Sequence, residues 1–156
     1  VEQQLSVRPA HAQPSARRFS IPVRVYYQDT DAGGMVFHAT YLDYMERVRM
    51  DWLRAIGFEI PKMVEKHQAM FVVRSANIDY LKPARLGEAL DVSLALVRMG
   101  GAQLVLDQRV TRGMEELVIA TIQLACIGVL DFRPARVPEA LRRECTRWLA
   151  PEAVTT

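Results

Sequence analysis

Cysteine is scarce in this chain: Cys126 and Cys145 are the only two among 156 residues. Cys126 sits in an apolar run and neither has metal-ligand spacing, so both read as reduced thiols in ordinary packing, which excludes a disulfide-built secreted scaffold. The histidines, His11, His38 and His67, lie far apart with no second His or Cys at a zinc spacing, and no metal is expected. Net charge is nearly absent too. Twenty basic residues against eighteen acidic ones leave a formal +2, too little to draw nucleic acid by electrostatics and enough only for a local basic patch. No stretch approaches the roughly 20 apolar residues that span a bilayer, and the first residues carry no apolar signal core, so the expected compartment is the cytoplasm.

What is present is the balance of a globular protein, with 50% hydrophobic and 24% charged residues in a length that suits one domain. Residues 1–20, rich in Gln, Ala, Pro, Ser and Arg without sustained period, read as a flexible N-terminal extension. Residues 21–150 are the expected domain and 151–156 a C-terminal tail. Ile21 to Tyr27 alternates as a first strand, with Val23, Val25 and Tyr27 on one face. Beyond a turn-rich loop, Tyr41, Tyr44, Met45, Val48, Trp52, Ala55 and Ile56 recur at spacings of three and four, the stripe of a long helix that Gly57 stops. Asp43, Arg47 and Asp51 occupy another face at spacings that suit exposed ion pairs.

After a less regular stretch around Pro61, strand patterns continue almost to the end. Met70, Val72, Ala76, Ile78 and Tyr80 form one alternating set; Leu90, Val92, Leu94 and Leu96 form another. Gly100-Gly101 and Arg112-Gly113 mark tight turns, and Leu117 to Val129 is nearly continuously apolar, as in a strand covered on both faces. Leu141, Trp148 and Leu149 suggest a short terminal helix. The expected class is α+β: a curled antiparallel sheet of about five strands wrapped around one long helix.

The loop Gln28-Asp29-Thr30-Asp31-Ala32-Gly33-Gly34 holds what a catalyst needs. Unsatisfied amides at a helix N-terminus carry partial positive charge and can stabilise a developing oxyanion, while glycines let a substrate approach the backbone closely. A carboxylate beside them can attack a carbonyl or deprotonate a water that does so. A thioester suits this equipment, because a thiol ionises near pH 8.5 and its thiolate leaves without a strong acid or metal. The same residues also serve as ordinary caps and turns.

The run Tyr27-Gln28-Asp29-Thr30-Asp31-Ala32-Gly33-Gly34-Met35-Val36-Phe37-His38-Ala39-Thr40-Tyr41 closely resembles the signature of the 4-hydroxybenzoyl-CoA thioesterase family of hotdog proteins. It is most similar to the bacterial Tol-Pal-associated acyl-CoA thioesterase branch. The likeness continues through Glu46, Arg47 and Arg49, then Phe71-Val72-Val73-Arg74 and Pro83-Ala84-Arg85-Leu86, and covers roughly residues 21 to 138. It implies hydrolysis of acyl-CoA to free acid and CoA. In that reading Asp31 is the catalytic carboxylate, the backbone amide of His38 polarises the thioester carbonyl, and Gly34 is the glycine of close approach. Asp29 shapes the loop.

Tyr27, Gly33 and Glu46 are carried as substrate-binding candidates. Arg74, Lys82 and Arg85 are candidates for the CoA phosphates, whose oxygens suit an ammonium or a guanidinium fork. No cofactor is implied, since coenzyme A belongs to the substrate. Alternative readings are an acyl-carrier-protein or aromatic-CoA thioesterase and a non-catalytic acyl-CoA-binding subunit. The resemblance also implies a homodimer or homotetramer with sites built from both chains, and an envelope-associated role.

Overall fold

The computed structural model describes residues 17–150. In chain order it contains β1 (Arg18–Arg24), a 3-10 turn (Tyr27–Asp29), α1 (Thr40–Ala55), α2 (Ile60–His67), β2 (Ala69–Tyr80), β3 (Ala89–Met99), β4 (Gln103–Arg112), β5 (Glu115–Gly128) and α3 (Glu139–Thr146). The strands make one antiparallel sheet in the order β1-β3-β4-β5-β2. Short turns give the β3-β4-β5 meander, whereas β1 and β2 reach the two edges through long connections.

The long helix buries most of the expected stripe: Tyr41, Tyr44, Met45, Val48 and Trp52 are enclosed, whereas Ala55 in the last turn is exposed and Ile56, just past the helix, is half-buried. The enclosed residues pack on Leu90, Val92, Leu94 and Leu96 of β3 and their neighbours, each such side chain contributing roughly 1.5–3 kcal/mol by leaving water. Gly57 ends the helix as expected. At φ +90 it lets its own N–H reach the Arg54 carbonyl (3.0 Å) and the Phe58 N–H reach that of Leu53 (2.8 Å). Gln108, fully buried in β4, adds a polar clasp by donating from Nε2 to the Met45 carbonyl (3.1 Å) and accepting from Arg49 (2.8 Å).

Several local expectations need correction. The first strand spans Arg18–Arg24 rather than Ile21–Tyr27, and Tyr26 and Tyr27 are exposed because the chain leaves the sheet in a 3-10 turn. Around Pro61 the chain is helical, not irregular: proline falls in the first turn of α2, where its missing N–H costs nothing. The expected pairs among Asp43, Arg47 and Asp51 do not form; Asp51 pairs with Arg54 (3.3 Å), and Arg47 lies over the Tyr44 ring. The alternation of β2 breaks at a bulge between Val73 and Ser75. As a result Ala76, Ile78 and Tyr80 share the α1 face with Ile122, Ala120 and Val118, while Met70 and Val72 turn to the other face. The short terminal helix exists as α3, which buries Leu141 and Cys145.

Candidate active site

The site grows from the chain between β1 and α1. Asp29 turns inward, only 6% exposed, and its carboxylate accepts the Tyr26 N–H (2.9 Å). Its carbonyl accepts the Phe37 N–H (2.9 Å), and Thr30 bridges Val36, so residues 30–36 form a small hairpin. Asp31 stands at the tip of this hairpin. Its N–H donates to the Met35 carbonyl (2.8 Å), and its carbonyl accepts from Gly34 (3.0 Å). The Asp31 Oδ1 accepts the N–H groups of Gly33 (2.8 Å) and Met35 (3.4 Å), which anchors that carboxylate oxygen.

Both glycines are needed for this shape. Gly34 has φ +75, a left-handed conformation costly for other residues. At Gly33 a Cβ would lie 3.2 Å from Asp31 Oδ1 and press on the carboxylate.

The next residues lead into α1, which starts at Thr40, so His38 occupies the turn two positions before the helix. The Phe37 and Thr40 N–H groups are taken by the Asp29 and Phe37 carbonyls, whereas that of His38 meets no backbone acceptor among the described residues. Tyr80, at the end of β2, donates from its hydroxyl to the His38 carbonyl (2.9 Å) and stacks edge-on against the imidazole. That bond fixes the turn. Tyr41 adds a second tie by accepting the Ala84 N–H (3.2 Å), while Ala84 accepts from Val36 (2.9 Å); burial pushes the Tyr41 hydroxyl above its ordinary pKa.

These ties border an open cleft of about 340 Å³. Asp31 and His38 enter it together with Met35, Val36, Tyr41 and Tyr80, and Leu81, Lys82 and Pro83 close one wall. Asp31 and His38 thus line one mainly apolar cleft. Of the basic candidates only Lys82 reaches it, and Lys82 is already paired with Glu115 (2.7 Å). Lys82 and Arg112 together hold the Glu115 carboxyl below its usual range.

The other candidates are dispersed. Arg85 adjoins the hairpin through a bridge to Met35, and Arg74 is exposed at the bulge of β2. Tyr27 points into solvent at 82% exposure. Glu46 lines a separate groove of about 490 Å³ with Arg24, Tyr26, Arg47 and Asp51. Among the described residues no group of His, Cys, Asp or Glu is placed to hold a metal ion.

Tyr41 and Tyr80 were missed as site residues because their sequence signals were those of a helix stripe and a strand alternation. The one available clue concerned Tyr41 and was polarity: a buried tyrosine needs a partner for its hydroxyl, which an ordinary core position does not offer.

Comparison with known proteins identifies the family and the fold. The profile of the thioesterase superfamily matches residues 33–119. The acyl-CoA thioesterase YbgC of Haemophilus influenzae is 40% identical over 124 residues, spanning 80% of this chain and 91% of that protein. The acyl-CoA thioester hydrolase YbgC of Escherichia coli is 37% identical over 127 residues, spanning 81% and 94%. A probable thioesterase from Bartonella henselae superposes with a TM-score of 0.74 at 33% identity, over 78% of this chain and 100% of that one. With five antiparallel strands curled over α1 and a sequence match that begins within the Asp31 hairpin, this chain belongs to the thioesterase superfamily and has its hotdog fold.

Proposed function

We propose that the protein hydrolyses acyl-CoA thioesters at the Asp31 cavity. The carrying observation is that Asp31 and His38, whose N–H meets no backbone acceptor among the described residues, line one mainly apolar cleft. The thioester carbonyl oxygen meets the His38 N–H, which stabilises negative charge as it develops. Asp31 Oδ2 takes a proton from water as the water oxygen bonds to the carbonyl carbon; collapse of the tetrahedral adduct breaks the C–S bond, and the departing thiolate of CoA recovers that proton. Alternatively Oδ2 bonds to the carbon itself, expels the thiolate and forms a mixed anhydride that water then opens.

Single turnover in heavy-oxygen water separates these routes. Direct attack leaves solvent oxygen in the Asp31 side chain when water opens the anhydride at the Asp31 carboxyl carbon, and trapping of the acyl-enzyme with hydroxylamine detects direct attack when water opens it at the acyl carbon; water activation gives neither signal. Thiol release from a panel of acyl-CoAs, an aromatic acyl-CoA and an acyl-carrier protein tests the substrate class; no release from any of them overturns the reading.

The working unit is a dimer paired through β2. This edge strand spans Ala69–Tyr80 with Val73 to Asn77 exposed on both faces, an invitation to further strand pairing. The opposite edge, β1, is shorter and interrupted by Pro22, which cannot donate to a ladder. Sedimentation and activity across a dilution series test this, and a fully active monomer would rule it out. The resemblance further supports a cytoplasmic protein beside an envelope complex, for which cell fractionation and co-purification are the tests.

A further inference from the structure

A polar atom that the reaction above does not use lies in the interior beside the Asp31 hairpin. Tyr44 of α1 is fully buried, and its hydroxyl makes no well-formed hydrogen bond among the described residues. Phenylalanine would fill the same space and leave nothing unpaired, so a hydroxyl kept here calls for an acceptor. The acceptor at hand is Asp29. Its carboxylate is turned inward at 6% exposure and takes the Tyr26 N–H (2.9 Å), and a buried carboxylate is stable only where donors surround it. Burial first, and then hydrogen bonding towards Asp29, push the Tyr44 hydroxyl well above its ordinary pKa, so the two groups face each other although the bond between them is not fully closed. The Tyr44 ring is itself held, with Tyr41 edge-on at 6.0 Å and the Arg47 guanidinium 5.7 Å over its face.

We propose that Tyr44 is a positioning residue for thioester hydrolysis: its hydroxyl donates to the Asp29 carboxylate and so ties the Asp31 hairpin to α1. This rests on the thioesterase reading. Asp29 is the point at which such a tie reaches both arms of the site. Asp31 follows it by two positions, and the Asp29 carbonyl accepts the N–H of Phe37, the residue before His38 (2.9 Å). The backbone bonds from Asp31 to Met35 and from Val36 to Ala84 fix the shape of the hairpin and its place beside Ala84. A donor on a rigid helix, facing the carboxylate at the hairpin base, adds the seat against α1 that a reacting geometry needs. The bond closes as substrate settles against the hairpin, so its loss falls on kcat rather than on KM.

The test uses the full chain. Y44F keeps the packing and removes only the donor; kcat for acyl-CoA should fall by about tenfold while KM stays within about twofold and the circular dichroism spectrum is unchanged. In a chain that already carries D29N, adding Y44F should cost less than about twofold, because the group through which Tyr44 acts is already altered. Equal cost in both backgrounds overturns the proposal, as does a Y44F chain with parental kcat. A Y44F chain that no longer folds assigns the hydroxyl to stability alone and overturns it too. The contact is also read without activity, in protein labelled with carbon-13 at the hydroxyl-bearing carbon of tyrosine, where the Tyr44 signal is the one lost in Y44F. D29N should shift that signal, and an unmoved signal shows that the two groups do not meet. A parental protein inactive on every acyl-CoA would instead sink the thioesterase reading itself, and the positioning role with it.

Discussion

The hairpin at Asp31 and the loop at Asp131 use the same local device in different surroundings. In each, an aspartate Oδ1 accepts the N–H two residues ahead, at 2.8 Å from Gly33 and 3.0 Å from Arg133. In each, a glycine makes room for that carboxylate, since an added Cβ would lie 3.2 Å from Asp31 Oδ1 at Gly33 and 2.8 Å from Asp131 Oδ1 at Gly128. Yet the first lines a cleft beside His38, whereas the second faces solvent between Leu130 and Phe132. The turn builds the shape; what packs around it decides whether the carboxylate has chemistry to do.

The same substitution at both places should separate these roles. Asp31→Asn keeps the turn but removes the reacting oxygen, and turnover of acyl-CoA should fall by about 10²–10⁴ with an unchanged circular dichroism spectrum. Asp131→Asn also keeps the turn, because asparagine makes the same bond to the backbone, and should alter kcat by less than about twofold. Equal effects at both positions would break the comparison. Asp29→Asn should reduce activity less than Asp31→Asn, since its inward carboxylate holds the Tyr26 N–H.

The paired glycines give a smaller contrast. Gly33→Ala should cost about tenfold in kcat by displacing Oδ1, with little loss of stability. Gly128→Ala forces a closer contact and should instead lower stability by about 1–3 kcal/mol while sparing turnover of a short acyl-CoA. Chemical denaturation combined with rate measurements distinguishes the two. Tyr80→Phe and His38→Ala belong further down the scale. Each should reduce kcat by about fivefold or less, because the His38 carbonyl loses a tie worth about 1 kcal/mol or the ring loses its packing while the amide remains. Abolished activity in a folded His38→Ala protein would give the imidazole a direct part.

The smallest expected effect lies far from the cleft. Burial pushes the Cys145 thiol up from 9.0 to about 12. Since its folded pKa is raised, its contribution to stability is fully present below about pH 9 and is lost as pH rises towards 12. Native protein should therefore resist thiol alkylation at pH 8 at Cys145, and Cys145→Ala should flatten the alkaline loss of stability.

Much of the fold was legible in sequence because its signals are local. The Tyr41-Tyr44-Met45-Val48-Trp52 stripe marks a helix through side-chain period alone, Gly57 stops it through backbone freedom, and Gly100-Gly101 and Arg112-Gly113 place the turns between β3, β4 and β5. The resemblance singled out Asp31 and His38, which the fold brings to one cavity. Local signals failed where two reasons for a pattern overlap. Tyr26 and Tyr27 continue a strand-like run but lie in and beside a 3-10 turn, and α2 is only eight residues long, too short for its period to outweigh Pro61.

Long-range pairing decided the rest. Nothing in the β2 sequence states that it pairs with β5 at the far edge, or that a bulge after Val73 turns Tyr80 towards α1 and the His38 carbonyl. The separation of Asp29 from Asp31 likewise needed three dimensions, because their chemistry is identical and they differ only in what surrounds them. The sequence by itself determined the elements and the residues able to react, since backbone preference and hydrophobic period act over a few positions. Only the tertiary structure decided which of those residues share a cavity, because strand order and packing join positions dozens of residues apart.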